Sequence, residues 1–170
     1  MKKLLVRILF LLTFCTYYES KYFNYEALQV IKDYEEGLEK AKVEGKPIFL
    51  YFTCHGCMGD YRIERKQILG DWKTYKKLRD EFINVWLYVD DRKKIEPYIS
   101  PLSGRTIKAI GNKWADLQYE KFGEQSQPLF IILNKNGERI SANQIGYSQA
   151  KDGGLLAFWK VLNNDTFVIF

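Results

Sequence analysis

The stretch 46–64, KPIFLYFTCHGCMGDYRIE, is what the rest of the chain must fold around. The apolar run 48–52 follows Pro47 and reads as a buried strand. Thr53 to Gly56 is a short polar loop, and 58–69 has the composition of a helix. Cys54 and Cys57 therefore stand where a strand hands over to a helix. A thiol there feels the unpaired N–H groups and positive dipole end of the helix, which lower its pKa and favour the thiolate. The thiolate is the nucleophile of disulfide exchange.

The flanking sequence supplies elements of alternating type. Apolar residues recur at helical spacing over 25–43 (Ala27, Leu28, Ile31, Tyr34, Leu38, Ala41), and Gly45-Lys46-Pro47 stops that helix. After 58–69, Gly70-Asp71 interrupts and 72–82 resumes as helix. Residues 83–89 (INVWLYV) read as a second buried strand, ended by Asp90-Asp91. That acidic pair is a strand-end turn, because no third hard ligand stands at a useful spacing for a metal. Pro97, Pro101 and Gly104 mark 92–105 as a loop, and 106–122 carries a helical apolar face of Ile107, Ile110, Trp114, Leu117 and Phe122. Gln127-Pro128 opens a third apolar run, 129–133, and Asn134-Lys135-Asn136-Gly137 turns it into 138–140. A last helix is expected over 154–162. The order predicts an α/β domain over 25–165, with the strands 48–52, 83–89, 129–133 and 138–140 in one mixed central sheet flanked by helices. Phe52, Val85, Leu87 and Ile131 should be buried in it.

Charge narrows the partners. The net charge is +5, but Lys2, Lys3 and Arg7 account for most of it. The remaining basic residues are interleaved with acids, as on a solvated surface, and form no concentrated face for nucleic acid. Residues 1–20, MKKLLVRILFLLTFCTYYES, combine a basic start with an apolar run too short to span a bilayer, which fits an export signal. Cys15 adds a lipoprotein variant of that reading, although Phe14 before it is not small. Membrane contact would then arise only through lipidation at Cys15. Export places the chain in the periplasm or outside the cell, an oxidising setting where a CxxC pair can cycle.

The order of elements, the thiols at a strand end and the Pro opening the later run resemble the thioredoxin-like family. The segments KPIFLYFT…C, FINVWLYVDD, GNKWADLQYEKFG and QSQPLFIILNKNGE resemble more narrowly the C-terminal thioredoxin-like domain of the disulfide interchange protein DsbD, in its Bacteroidetes-type forms. The likeness covers roughly 33–162. It implies a thioredoxin-like fold without a cofactor, protein thiols or disulfides as partners, and a separate membrane electron donor. It also implies a cis peptide bond before Pro128, facing the active-site cysteine, and a shallow groove for an extended polypeptide along Gln127, Pro128, His55 and Gly56.

The register of the resemblance is unusual. Counted from Phe52, the family's nucleophile falls on Cys57 and its following acid on Glu64. The resolving cysteine should stand three residues after the nucleophile, where this chain has Asp60. Tyr51 takes the place of the buried acid that thioredoxins carry before the Phe. Cys54 instead precedes Cys57, with Gly56 expected to free the turn and His55 able to donate to a thiolate. Asp60 is expected in the first helical turn, where its negative charge would raise a neighbouring thiol's pKa. Three readings of the pair stay open: a redox-active disulfide, a static or inert one, or single-thiol chemistry at Cys57. Accordingly the chain is either an exported thiol-disulfide oxidoreductase, reducing protein disulfides through Cys57 with Cys54, or a redox-inactive binding module that retains the groove. Zinc finds only Cys54, Cys57 and His55, one short of a structural site's four ligands, so no metal is expected.

Overall fold

The computed structural model describes residues 25–140 and Gly146. The export signal expected at 1–20, Cys15 and the helix expected over 154–162 lie outside the described residues.

Three apolar strands build the centre: β1 (Ile48–Thr53), β2 (Ile83–Tyr88) and β5 (Leu129–Leu133), in the order β2-β1-β5. β1 pairs parallel with β2, Phe52 opposite Leu87, and antiparallel with β5, Phe52 opposite Leu129. Single bridges extend the sheet at both edges, Ile31 to Val85 on one side and Arg139 to Leu133 on the other. The fourth strand expected at 138–140 thus contributes one bridge and two flanking backbone bonds, Glu138 accepting from Asn134 and Ile140 donating to Ile132. Its alternating charges, Glu138 and Arg139, give it little apolar surface to lay along the sheet edge.

The sheet divides the core in two, which is why its central strands read as unbroken apolar runs. Ile48, Leu50 and Phe52 face one side, with Val85, Leu87 and Ile131, and Phe49 and Tyr51 face the other, with Trp86 and Phe130. Phe52, Val85, Leu87 and Ile131 are fully buried, as predicted. The first face is covered by α1 (Tyr34–Glu44) and α4 (Ile110–Phe122), through Tyr34, Ala41, Trp114 and Phe122. The second is covered by α2 (Met58–Ile63), the π turn Glu64–Ile68 that continues it, and α3 (Trp72–Glu81). None of these helices is long and apolar enough to cross a membrane.

Three expectations are corrected. The helix expected over 25–43 is split: a 3-10 turn (Tyr25–Leu28) ends at Gln29, whose φ of 48° is left-handed, and α1 starts only after Asp33. The chain breaks there so that Ile31 can bridge to β2, its N–H donating to Asn84 and its carbonyl accepting from Trp86. Buried Asn84 holds the break in place, donating to the carbonyls of Leu28 and Leu78. Second, 92–105 is not a plain loop. Its first half is β3 (Lys94–Ile99), which pairs antiparallel with β4 (Thr106–Ala109) around an irregularity that accommodates Pro97. Third, β4 takes the first residues of the predicted 106–122 helix, and α4 begins at Ile110. The hairpin is anchored to α4 by buried Asp116, which accepts from Ser100 and, at 2.7 Å, from Arg105.

Candidate redox site

β1 ends at Thr53, and Cys54 to Cys57 turn the chain into α2. Cys54 and Cys57 are joined by a disulfide, with their Cα atoms 5.3 Å apart. That separation lies in the range disulfides need, so a pair displaced upstream of the helix still meets the geometry. Cys57 is the residue before the first helical position, and its carbonyl accepts from Tyr61. Both cysteines are half-buried, while His55 and Gly56 between them are exposed.

Two carboxylates, Asp90 and Asp60, accept hydrogen bonds from this loop and the residue before it. Asp90, at the end of β2, accepts from the backbone N–H of His55 (2.8 Å) and of Gly56 (3.1 Å). Burial pushes the Asp90 carboxyl up, but those two bonds and His55 outweigh it and hold it below the usual carboxylate range. Asp60 lies in the first turn of α2, as expected, but turns inward and is 2% exposed. There it accepts from the Thr53 hydroxyl at 2.9 Å. Burial pushes its carboxyl up to about 6, partly offset by the hydrogen bonds from Thr53 and from the Cys54 backbone. Its carboxylate and the two sulfurs lie within 4.8 Å of one another. Asp60 is therefore an acid beneath the disulfide, not a surface charge beside it.

The other expected site residues fall into place unevenly. Glu64 is buried in the π turn, and burial pushes its carboxyl up to about 7. It is not grouped with the sulfurs as Asp60 is. The His55 ring stacks on Tyr88, centroids 4.1 Å apart, so its ring is committed to the end of β2. Gly56 is not one of the left-handed glycines, and a Cβ there would meet only Asp90 Oδ2 at 3.8 Å. The turn does not require its freedom, contrary to expectation. Tyr51 packs as a core aromatic, stacked on Phe130 at 4.6 Å and edge-on to Trp86 at 5.3 Å.

The Gln127-Pro128 peptide bond is cis. Since Leu129 pairs with Phe52, Pro128 stands at the same sheet end as Thr53 and the disulfide that follows it. Pro128 is buried, and Gln127 is held by its side chain, which donates to Gln118 (2.8 Å) and to the Gln125 carbonyl. Gln118, buried on α4, in turn donates to the Ser126 carbonyl. A polar cleft of about 450 Å³ runs from Gln127 between β4 and α4 to Arg105. Thus Gln127 and Pro128 share a sheet end with His55 and Gly56, and the cleft at Gln127 leads away from them along α4.

Sequence reasoning missed Asp90 as the loop's clamp and Thr53 as the partner of Asp60. The acidic pair at the end of 83–89 was visible, and its reach back to residues 55 and 56 was not.

No family model matches the chain, and no curated protein matches it. Among solved structures it is similar to a thioredoxin from Thermus thermophilus, at 18% identity and TM-score 0.52, covering 79% of this chain and 88% of that one. It is also similar to a disulphide isomerase from Xylella fastidiosa Temecula1, at 15% identity and TM-score 0.52, covering 76% and 88%. The fold is thioredoxin-like, a central mixed sheet flanked by helices.

Proposed function

We propose that this chain is a thiol-disulfide oxidoreductase that reduces protein disulfides through Cys57, with Cys54 as the resolving thiol. The observation that carries the reading is the Cys54–Cys57 disulfide itself, set between the end of β1 and the start of α2, at the sheet end where Pro128 enters β5. In the reduced protein the Cys57 thiolate attacks one sulfur of a substrate disulfide, and the other substrate sulfur leaves as a thiolate that takes a proton. Cys54, losing its own proton, then attacks Cys57 and expels the second substrate sulfur. The substrate gains two electrons and two protons, and the Cys54–Cys57 disulfide is restored. A dithiol donor must reduce it again. The resemblance to the DsbD domain and the leader-like 1–20 support a periplasmic setting with a membrane-bound donor.

Insulin reduction with a dithiol donor tests this. Turnover in the parent and its loss in Cys57→Ser are expected. A parent that neither turns over nor traps substrate at Cys57 would leave the second reading, a groove-only binding module. Asp60 favours that alternative, because it stands where the family's resolving cysteine would be.

A further inference from the structure

The sequence offers zinc three ligands, Cys54, Cys57 and His55. The structure withdraws one and supplies another. The His55 ring is laid against Tyr88, whereas the Asp60 carboxylate is turned in beneath the two sulfurs. We propose that the reduced loop binds one zinc-like divalent cation through the sulfurs of Cys54 and Cys57 and a carboxylate oxygen of Asp60, with water in the fourth position.

The geometry needs little change. Zinc takes sulfur at about 2.3 Å and oxygen at about 2.0–2.2 Å, so its tetrahedral ligands lie about 3.5–3.8 Å apart. The three candidate atoms already lie within 4.8 Å of one another, and the Cα separation of 5.3 Å lets the sulfurs part once their bond is broken. Two thiolates and one carboxylate select zinc or cadmium over magnesium or calcium, which prefer oxygen alone. The Thr53 hydroxyl on Asp60 is the kind of outer-shell bond that orients a ligating carboxylate. Exposed His55 and Gly56 leave the outer side of the loop accessible for entry and for the water ligand.

Metal binding and oxidation exclude each other here, because zinc needs both thiolates and the disulfide has neither. Zinc would therefore protect the reduced pair against oxidants and slow its exchange with substrates. The inference does not rest on the oxidoreductase reading, since it requires only that the disulfide can be opened. A water-soluble phosphine does this: it takes up the oxygen of water as phosphine oxide, and the disulfide becomes two thiols. Zinc then displaces their two protons to solvent.

The test uses the full chain with Cys15→Ser, so that the loop holds the only thiols. Protein reduced by phosphine and freed of it is titrated with Zn²⁺ against a colorimetric chelator. One ion per reduced chain, none in the oxidised chain, and at least about tenfold weaker binding in Asp60→Asn are expected. Equal binding by the oxidised form, or by a folded Asp60→Asn, overturns the proposal. X-ray absorption of the zinc-loaded parent gives a check that needs no variant at Asp60. A shell of two sulfurs and two oxygens supports it, and a shell containing imidazole, or lacking sulfur, overturns it.

Discussion

Asp60 illustrates what a single residue does when its surroundings are not local. In sequence it is an acid in a first helical turn, which ordinarily faces water and the helix dipole. Its burial depends on Thr53, seven residues earlier on a strand, and on the sulfurs above it. No periodicity encodes that, so its presence in the site was legible while its role was not. Cys54→Ser should leave Cys57 able to attack but not to be released, and a mixed disulfide should accumulate on non-reducing gels. Adding Asp60→Cys places a thiol beneath Cys57 and should restore turnover, which insulin reduction would read. Asp90 offers a second check. Asp90→Ala removes two hydrogen bonds to a charged acceptor and should cost about 1–3 kcal/mol in urea unfolding. Amide exchange should quicken at His55 and Gly56 while the core strands stay protected. Buried Glu64 supplies a pH signature. Its carboxyl is raised from its ordinary value to about 7, so the folded state binds its proton more tightly than the unfolded chain does. Its contribution is favourable at low pH and is lost as pH rises from about 4.5 through about 7. Glu64→Gln should flatten that fall by about 1–2 kcal/mol in denaturation measured across the range.

The elements differed in how plainly they could be read. The three central strands were legible because both of their faces are buried, and their apolar runs, 48–52, 83–89 and 129–133, have no other explanation. The β3–β4 hairpin was not, because Lys94–Ile99 is almost wholly exposed and contains Pro97. Ile107 and Ile110 also happen to lie at helical spacing, which hid β4 in front of α4. The split before α1 was hidden by Gln29, a non-glycine residue with positive φ. Gly111 shows how closely α4 is seated. A Cβ there would lie 2.6 Å from the backbone of Val89 and Asp91, which cannot give way as a side chain can. Gly111→Ala should therefore lower stability by about 1–3 kcal/mol, measurable by urea unfolding.

At the scale of the whole molecule, the sheet is held by its two apolar faces and the disulfide joins residues only three apart. So short a loop removes little entropy from the unfolded chain, about 2 kcal/mol at most. Reduction should lower Tm by only a few degrees in calorimetry, with the sheet intact. A cell or a chemist judging this protein by whether it survives heat, proteases or purification would therefore receive almost the same answer for both oxidation states. What distinguishes them is confined to the four residues 54–57, where only something that reacts with or binds free sulfur will notice.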